Sequence, residues 1–298
     1  MSRRGWILFA LLSIAWGIPY LLIKIAVAEV PVPVLVFARV TLGAAILLPL
    51  ALRRGQLPRL AGHWGPLAAF AALEFVIPWG LLSHAEIRLS SSTAGLLMAA
   101  IPILTVVITR LGGHHEHLGG RRLLGLAAGF AGVFVLAAPD LSGDAVSVAE
   151  VLLAAVCYAA AAVLAGRRLS DVPALPMTAA CLAMASLVYL LPAVAAWPAT
   201  LPSPNALAAL AGLAFVCTAL AFVWFFALIR EVGVTRAVVI TYINPAVAVA
   251  AGAIVLSEPI TPLTLSGFAL ILGGSVLATV RPNEQATAGQ GDVARRVA

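Results

Sequence analysis

The stretch Ala237-Val238-Val239-Ile240-Thr241-Tyr242-Ile243-Asn244-Pro245, followed by Ser257-Glu258-Pro259, has a counterpart in the first half of the chain. That counterpart is Ala94 to Pro102, followed by Glu116. Glu116 and Glu258 stand 142 residues apart, as do Pro31 and Pro173, Gly125 and Gly267, and Gly132 and Gly274. Pro102 and Pro245 fit the same repeat with a slip of one residue. The second half is therefore a diverged copy of the first, and such a repeat fixes the architecture before any local pattern does. Each copy holds five apolar stretches. Five is odd, so the second copy enters a membrane from the opposite side. Inverted repeats of this kind are a construction that transporters use.

Composition supports the membrane setting. The 298 residues are 62% hydrophobic and 10% charged, with a mean hydropathy of +1.07. A water-soluble domain has too few polar residues here to cover its exterior. Cys157, Cys181 and Cys217 all fall in apolar runs, and three cysteines make no disulfide framework. A bilayer core of about 30 Å takes about 20 apolar residues per helix. Spans are expected near 6–27, 34–52, 65–85, 93–111, 121–138, 147–166, 174–196, 205–228, 236–256 and 263–280. The runs are continuously apolar and do not alternate with period two, which selects helices over barrel strands. The expected fold is thus an all-α polytopic membrane protein. It has ten transmembrane helices, arranged as two inverted five-helix repeats around a central cavity. The repeats occupy residues 1–140 and 141–280, and residues 281–298 form a polar, disordered cytoplasmic tail.

Basic residues orient the chain. With the N-terminus cytoplasmic, Arg3, Arg4, Arg53, Arg54, Arg59, Arg110, Arg121, Arg122, Arg167, Arg168, Arg230, Arg236, Arg281, Arg295 and Arg296 all fall at cytoplasmic ends. Only Arg88 falls outside, where Asp140, Asp144 and Glu150 also sit. Both termini are therefore expected in the cytoplasm of a bacterial-type inner membrane. Arg3-Arg4, an apolar run and Ala26-Val27-Ala28 resemble a cleavable signal peptide. The run from Trp6 to Ile23 is long for one, however, and Lys24 sits just before the would-be site.

Charge inside a span is the strongest local sign of function. A charged residue at mid-bilayer costs roughly 2.5–3.5 kcal/mol on insertion scales and usually faces a partner or water. Glu74 lies near the centre of the third span, Lys24 toward the outer end of the first, and Arg39 in the outer half of the second. We expect Glu74 to face the cavity and to pair with Lys24 or Arg39, binding a substrate ammonium or a coupling proton. A structural ion pair stapling the first three spans is the plainer alternative. Trp16, Tyr20 and Lys24 recur at helical spacing, and Tyr158 takes the place of Trp16 in the second copy. The two aromatics are expected as cavity walls rather than as an interfacial belt. Trp6, Trp64 and Trp197, near span ends, fit the belt.

Pro102 and Pro245 leave the carbonyls of Met98 and Thr241 without helical donors. Such breaks expose polar backbone at a midplane site in transporters. Tyr242 and Asn244 add polar groups at the second break, and Ser91, Ser92, Thr93 and Thr105 near the first. Glu116 and Glu258 are expected to stabilise the positive ends of the helices they begin. His114, His115 and His117 lack a second cluster to complete four ligands, so they read as a solvated turn and no metal site is expected. His84 and Glu86 lie near the outer mouth. Gly125 and Gly129, with Gly273, Gly274, Ser266 and Ala269, make small-residue faces for packing within a monomer or across a homodimer.

With the copies aligned, the chain resembles the drug/metabolite transporter superfamily, EamA type. The carrying residues are Trp16-Gly17, Lys24, Pro31, Arg39, Ala94 to Pro102, Glu116, Gly125 and Gly132 in the first copy. In the second they are Pro173, Ala237 to Pro245, Ser257-Glu258-Pro259, Gly267 and Gly273-Gly274. The resemblance spans roughly residues 6–280 and implies a ten-helix secondary carrier with a central cavity. Within that superfamily the chain is most similar to exporters of aromatic and neutral amino acids. His114-His115-Glu116-His117 and Glu74 depart from the usual pattern.

The expected function is export of small metabolites, foremost neutral and aromatic amino acids, by alternating access. A cationic or amphipathic drug is the alternative substrate, since Trp16, Tyr20, Tyr158 and Glu74 suit a lipophilic cation. A polytopic membrane enzyme is less favoured, because H-E-x-x-H and any long catalytic loop are missing. A channel lacks its ring of charges or carbonyl filter. No phosphate-binding G-x-x-x-x-G-K-[ST] motif occurs, so no nucleotide or other cofactor is expected. Nucleic acid is not an expected partner; the bilayer and a small molecule are.

Overall fold

A computed structural model gives the architecture and describes residues 2–112, 120–233 and 237–279. His114, His115, Glu116, His117, Arg236 and the expected tail 281–298 lie outside the described residues, as do the side chains of Arg122 and Asp140. Among the described residues there are ten apolar helices and no strand. They are α1 (Arg3–Ala26), α2 (Val32–Arg53), α3 (Trp64–Ala85), α4 (Ser91–Leu111), α5 (Leu123–Ala138), α6 (Asp144–Arg168), α7 (Ala174–Ala195), α8 (Pro204–Val232), α9 (Ile240–Leu256) and α10 (Pro262–Ala278). Seven are long and apolar enough to cross a membrane outright, and α5, α9 and α10 are shorter. Asp144, with φ −149° and ψ 51°, interrupts an otherwise continuous helical course and separates α5 from α6. Leu111, Leu191 and Ile254 are largely exposed, as helices facing lipid require.

Helix boundaries follow from caps. Pro31 and Pro173 hold extended backbone just before α2 and α7, the second helix of each repeat. Ser203 accepts from the Ala206 N–H to begin α8. Both repeats also break helical regularity at matching places. A π-helical segment covers Ala72–Val76 in α3, and another covers Gly212–Leu220 in α8. The wider turn leaves carbonyls to be satisfied from elsewhere. Tyr189 Oη of α7 donates to the Val76 carbonyl at 2.8 Å, with Gly80 leaving room for its hydroxyl. Thr218 Oγ1 donates to the Leu213 carbonyl at 2.9 Å. A 3-10 turn precedes each repeated proline, at Met98–Ala100 and at Val238–Tyr242.

The glycines spend their freedom inside the chain. A Cβ on Gly132 would lie 2.8 Å from both the Gly267 carbonyl oxygen and the Ile271 nitrogen. One on Gly125 would lie 2.6 Å from the Ala278 nitrogen. Helices α5 and α10 therefore meet backbone to backbone. The expected face on α10 is displaced, because contact runs through Gly267, Ile271, Gly274 and Ala278. Gly273 has nothing within 4 Å of its missing Cβ, and Ser266 and Ala269 are exposed.

Polar groups tie the helices at each end. On the basic face, which carries Arg3, Arg4, Arg53, Arg54, Arg110, Arg167, Arg168 and Arg230, Glu231 accepts from Ser2 and lies 3.9 Å from Arg4. His63 there lies 3.3 Å from Asp171. On the opposite face Glu29 accepts from the backbone and hydroxyl of Ser203, both at 2.6 Å. His84 Nδ1 bonds Glu150 at 2.9 Å, and Arg88 lies 3.4 Å from Asp144.

Candidate functional site

A cavity of about 370 Å³ lies at the centre of the bundle. It is lined by α1 to α4 and α6 to α9, with nothing from α5 or α10. The π segments, the 3-10 turns and the Pro19 break of α1 all reach it. Irregular helix is tolerated at membrane depth where it lines a cavity.

One wall is aromatic. The Trp16 ring packs 4.9 Å from Phe225 and 5.6 Å from Phe222, edge or tilted. Phe75 packs 5.3 Å from Trp79 and 6.0 Å from Phe222. Phe226 closes the cluster behind Phe222. These contacts give an apolar side chain ring faces and edges to pack against. Phe75, Trp79, Phe222, Phe225 and Phe226 were not singled out from the sequence. Their signal was nonetheless present: Phe222, Phe225 and Phe226 stand at i, i+3 and i+4, and Phe75 and Trp79 at i and i+4.

The other wall carries charge. Arg39 is 6% exposed, yet its head reaches the cavity. Its Nε donates to Thr218 Oγ1 at 2.9 Å, and its Cζ sits 3.6 Å from the centroid of the Trp79 ring. That stacking is worth about 2 kcal/mol in a desolvated setting. Glu74 lies in the π segment of α3 and faces the same cavity. Among the described residues its carboxyl has no hydrogen-bond or ion-pair partner. The expected pairing of Glu74 with Lys24 or Arg39 is therefore not formed. Arg39 is taken by Thr218 and Trp79. Lys24 points away from the cavity and donates to the carbonyls of Glu86 at 2.8 Å, Ile87 at 3.4 Å and Leu89 at 2.8 Å. Those carbonyls close α3 and the turn after it, the negative end of a helix, where an ammonium is favoured.

Of the other expected site residues, Trp16, Tyr20, Met98, Tyr158, Thr241 and Asn244 line the cavity. Pro102, Tyr242 and Pro245 do not. The freed Met98 carbonyl is taken by the Ile101 N–H across the 3-10 turn, which removes it as a polar group for a ligand. Asn244 Oδ1 is buried without a partner among the described residues. Thr105 bonds back to the Ile101 carbonyl at 2.8 Å. Ser91 and Ser92 are not in the cavity. Their backbone N–H groups donate to Glu258 at 2.8 and 2.9 Å, and their hydroxyls do the same. Glu258 thus stabilises a positive helix end, but that of α4 rather than of α10, which it precedes. Gly252 leaves the space for this, since its Cβ would lie 2.6 Å from Ser92 Oγ. Partial burial pushes the Glu258 carboxyl up, and the bonds from Ser92 and Ser91 outweigh it and hold it below the usual range. The same holding acts on Glu29 through Ser203.

The cavity is asymmetric along the bundle. It begins among residues at the basic face, including Ala174 and Ile240, the first residues of α7 and α9, and Thr241 there is exposed. Toward the opposite face it ends under Ile23 and Leu82, both buried.

Two repeats, an aromatic cavity between them and breaks at equivalent positions match what comparison finds. The EamA-like transporter family matches twice, over residues 3–138 and 147–280. This chain belongs to the EamA-like transporter family. It is 29% identical to the uncharacterized transporter YvbV of Bacillus subtilis (strain 168), over 97% of this chain and 96% of that protein. It is 28% identical to the uncharacterized inner membrane transporter YedA of Escherichia coli (strain K12), over 92% and 89%. One solved structure, described only as the crystal structure of a protein, superposes with a TM-score of 0.65 at 20% identity, covering 94% of this chain and 97% of that one. That likeness carries the fold alone. An EamA-like chain of this kind is a multi-pass membrane transporter.

Proposed function

We propose that this transporter exports neutral and aromatic amino acids, with its basic face and both termini in the cytoplasm. The observation that carries the reading is the joint presence of Glu74 and Arg39 at one aromatic cavity. A zwitterion needs an anion for its ammonium and a cation for its carboxylate, and a desolvated site must supply both. Glu74 offers a carboxyl group with no partner of its own among the described residues, and an arriving ammonium favours its ionised form. Arg39 spends only its Nε on Thr218 among the described residues, which leaves its other N–H groups for a carboxylate. The Asn244 oxygen adds an acceptor in the same cavity. Trp16, Phe222, Phe225 and Phe226 take the side chain. The volume lies at the lower end of small-ligand pockets, which suits one amino acid better than a bulky drug. A lipophilic cation would also meet Glu74 and the rings, but the Arg39 guanidinium in the same space repels it.

The basic face fits the cytoplasm by the positive-inside pattern. The open cavity end then faces inward, the loading state of an exporter. Transport proceeds as the two repeats, residues 1–140 and 141–280, move about the site to expose it alternately. The monomer is the working unit in this reading, since the glycines of α5 and α10 are used within the chain. Counterflow in proteoliposomes tests it. With unlabelled phenylalanine, threonine or methionine inside, labelled amino acid should enter saturably, and Glu74→Gln should reduce entry at least tenfold. A folded protein with no counterflow of any of the three refutes the amino-acid reading.

A further inference from the structure

The cavity has a ceiling on the face opposite the basic one, and a buried acid sits in it. Phe75, Trp79 and Leu82 line the cavity along one side of α3. Glu86 continues that side, one turn beyond Leu82 and one residue past the end of the helix. On α1, Tyr20 lines the cavity and Lys24 lies one turn above it. Glu86 and Lys24 therefore meet where α1 and α3 close over the space.

The meeting is unusual. Glu86 is 0% exposed, and among the described residues neither of its carboxyl oxygens has a hydrogen-bond partner. The Lys24 ammonium does not supply one. Its three N–H donors are used by the backbone carbonyls of Glu86, Ile87 and Leu89. The lysine thus holds the main chain of this turn while the carboxyl beside it goes unbonded. An ionised carboxylate buried without a bonded partner is among the most costly arrangements in a protein, and it neutralises instead. The charged and titratable groups around it come from three elements. Lys24 and Tyr20 belong to α1, Arg39 to α2, and Glu258 to the turn between α9 and α10. Burial dominates and pushes the Glu86 carboxyl well above the usual carboxylate range. Lys24 and Arg39 act against that rise, and Glu258 adds to it.

We propose that Glu86 is a proton-binding site that controls closure of the face opposite the basic one. With the proton on, the carboxyl is neutral and packs in the ceiling while Lys24 locks α1 to the end of α3. When α1 withdraws, Glu86 meets water, loses its proton to the medium on that side and stays ionised until the face closes again. Neither step adds or removes any other atom: one O–H bond breaks on opening and re-forms on closing. The closed state binds the extra proton, so acid favours closure and alkali favours opening.

The test needs no substrate, so its result is independent of whether amino acids are carried. Spin labels at Ala28→Cys and Ile87→Cys, both exposed positions on either side of the closure, report the distance between the α1 and α3 ends by pulsed dipolar spectroscopy in nanodiscs. The native cysteines are buried. At pH 5.5 the parent should show one short distance, and at pH 8.5 a longer population should grow at its expense. Glu86→Gln, neutral at every pH, should keep the short distance throughout. Glu86→Asp should retain the pH response, which keeps the test decisive if the glutamine variant folds poorly. A parent insensitive to pH overturns the proposal. So does a glutamine variant that opens with pH as the parent does, because the titrating group would then lie elsewhere.

Discussion

Replacing Glu258 by alanine should destabilise the protein by an amount that can be worked from its contacts. The carboxylate accepts the backbone N–H groups of Ser91 and Ser92 at 2.8 and 2.9 Å, plus both hydroxyls. Hydrogen bonds to a charged group contribute about 1.5–3 kcal/mol each. Glu258 is only partly buried, so water refills part of the loss, and the low end is appropriate for the two backbone bonds. The hydroxyls rotate to other partners and add little. The expected loss is therefore about 3 kcal/mol, or roughly 6 °C in melting temperature at about 2 °C per kcal/mol for a large domain. Glu258→Gln keeps one acceptor oxygen and loses the charge, so it should lose about half as much. Gly252→Ala should act on the same contact, because its Cβ would lie 2.6 Å from Ser92 Oγ, 2.8 Å from Ser91 Oγ and closer still to the carboxylate. The double variant should then lose clearly less than the sum. The pH sign follows from a carboxyl held low in the folded state. Its contribution is present at neutral pH and disappears as pH falls through its folded-state value, so parent and Glu258→Ala should converge in acid. Thermal unfolding of purified protein in detergent, read by intrinsic fluorescence, measures all of this. A Glu258→Ala melting point within about 1 °C of the parent, or strict additivity with Gly252→Ala, refutes the reasoning.

Other outcomes follow from the same contacts. Arg39→Lys keeps the charge but loses the planar stack on Trp79 and the Nε bond to Thr218, so counterflow should fall at least tenfold and the melting point should drop by about 4 °C, in step with the roughly 2 kcal/mol of stacking. Trp16→Ala should raise the KM for phenylalanine several-fold more than that for threonine, because it removes ring contacts and no charge. Gly132→Leu should abolish the monodisperse species in size-exclusion chromatography, since its side chain meets backbone atoms of α10 that have no room to yield. Gly273→Leu, on a helix side with nothing within 4 Å, should behave as the parent does.

The repeat and the helix count were legible because lipid forces every crossing to be a long apolar helix, and because odd-numbered duplication leaves matched prolines and glycines. The cavity residues were legible where a cost was visible. Glu74 and Arg39 stand out as charges in apolar runs, and Trp16 as an aromatic too deep for a belt. Pairing was not legible. A sequence shows that Lys24, Arg39 and Glu74 lie within spans, but not that Lys24 meets three carbonyls or that Arg39 meets Thr218, which lies 179 residues away. The phenylalanine wall was missed for a related reason. Phe222, Phe225 and Phe226 in an apolar helix have the same pattern whether they face lipid or a cavity. The reassignment of Glu258 to α4 turns on Ser257, whose left-handed φ of 55° turns the chain at the end of α9. No periodicity encodes that.

Four of the eight helices that line the cavity depart from regular helix at matching places in the two repeats. Helices α3 and α8 carry the π segments, and α4 and α9 carry the proline-linked 3-10 turns. All four line the cavity. The departures in α3 and α4 draw a bond from a neighbour, Val76 accepting from Tyr189 and Ala99 from Ser275. A helix held partly by its neighbours bends at lower cost than one held by itself. Helices α5 and α10 lack such breaks among the described residues and are clasped by glycine contacts too close to slide. The same sequence duplication therefore yields four helices that can flex about a site and two that anchor it. Ties across the face opposite the basic one join the ends of α3 and α8 to α1 and α6. Lys24 reaches from α1 to the end of α3, Glu29 to the start of α8, and His84 on α3 to Glu150 on α6. Opening that face requires breaking all three together, and each can be removed without touching the cavity. Lys24→Met combined with Glu29→Gln should therefore weaken closure while leaving the Glu74 and Arg39 poles in place.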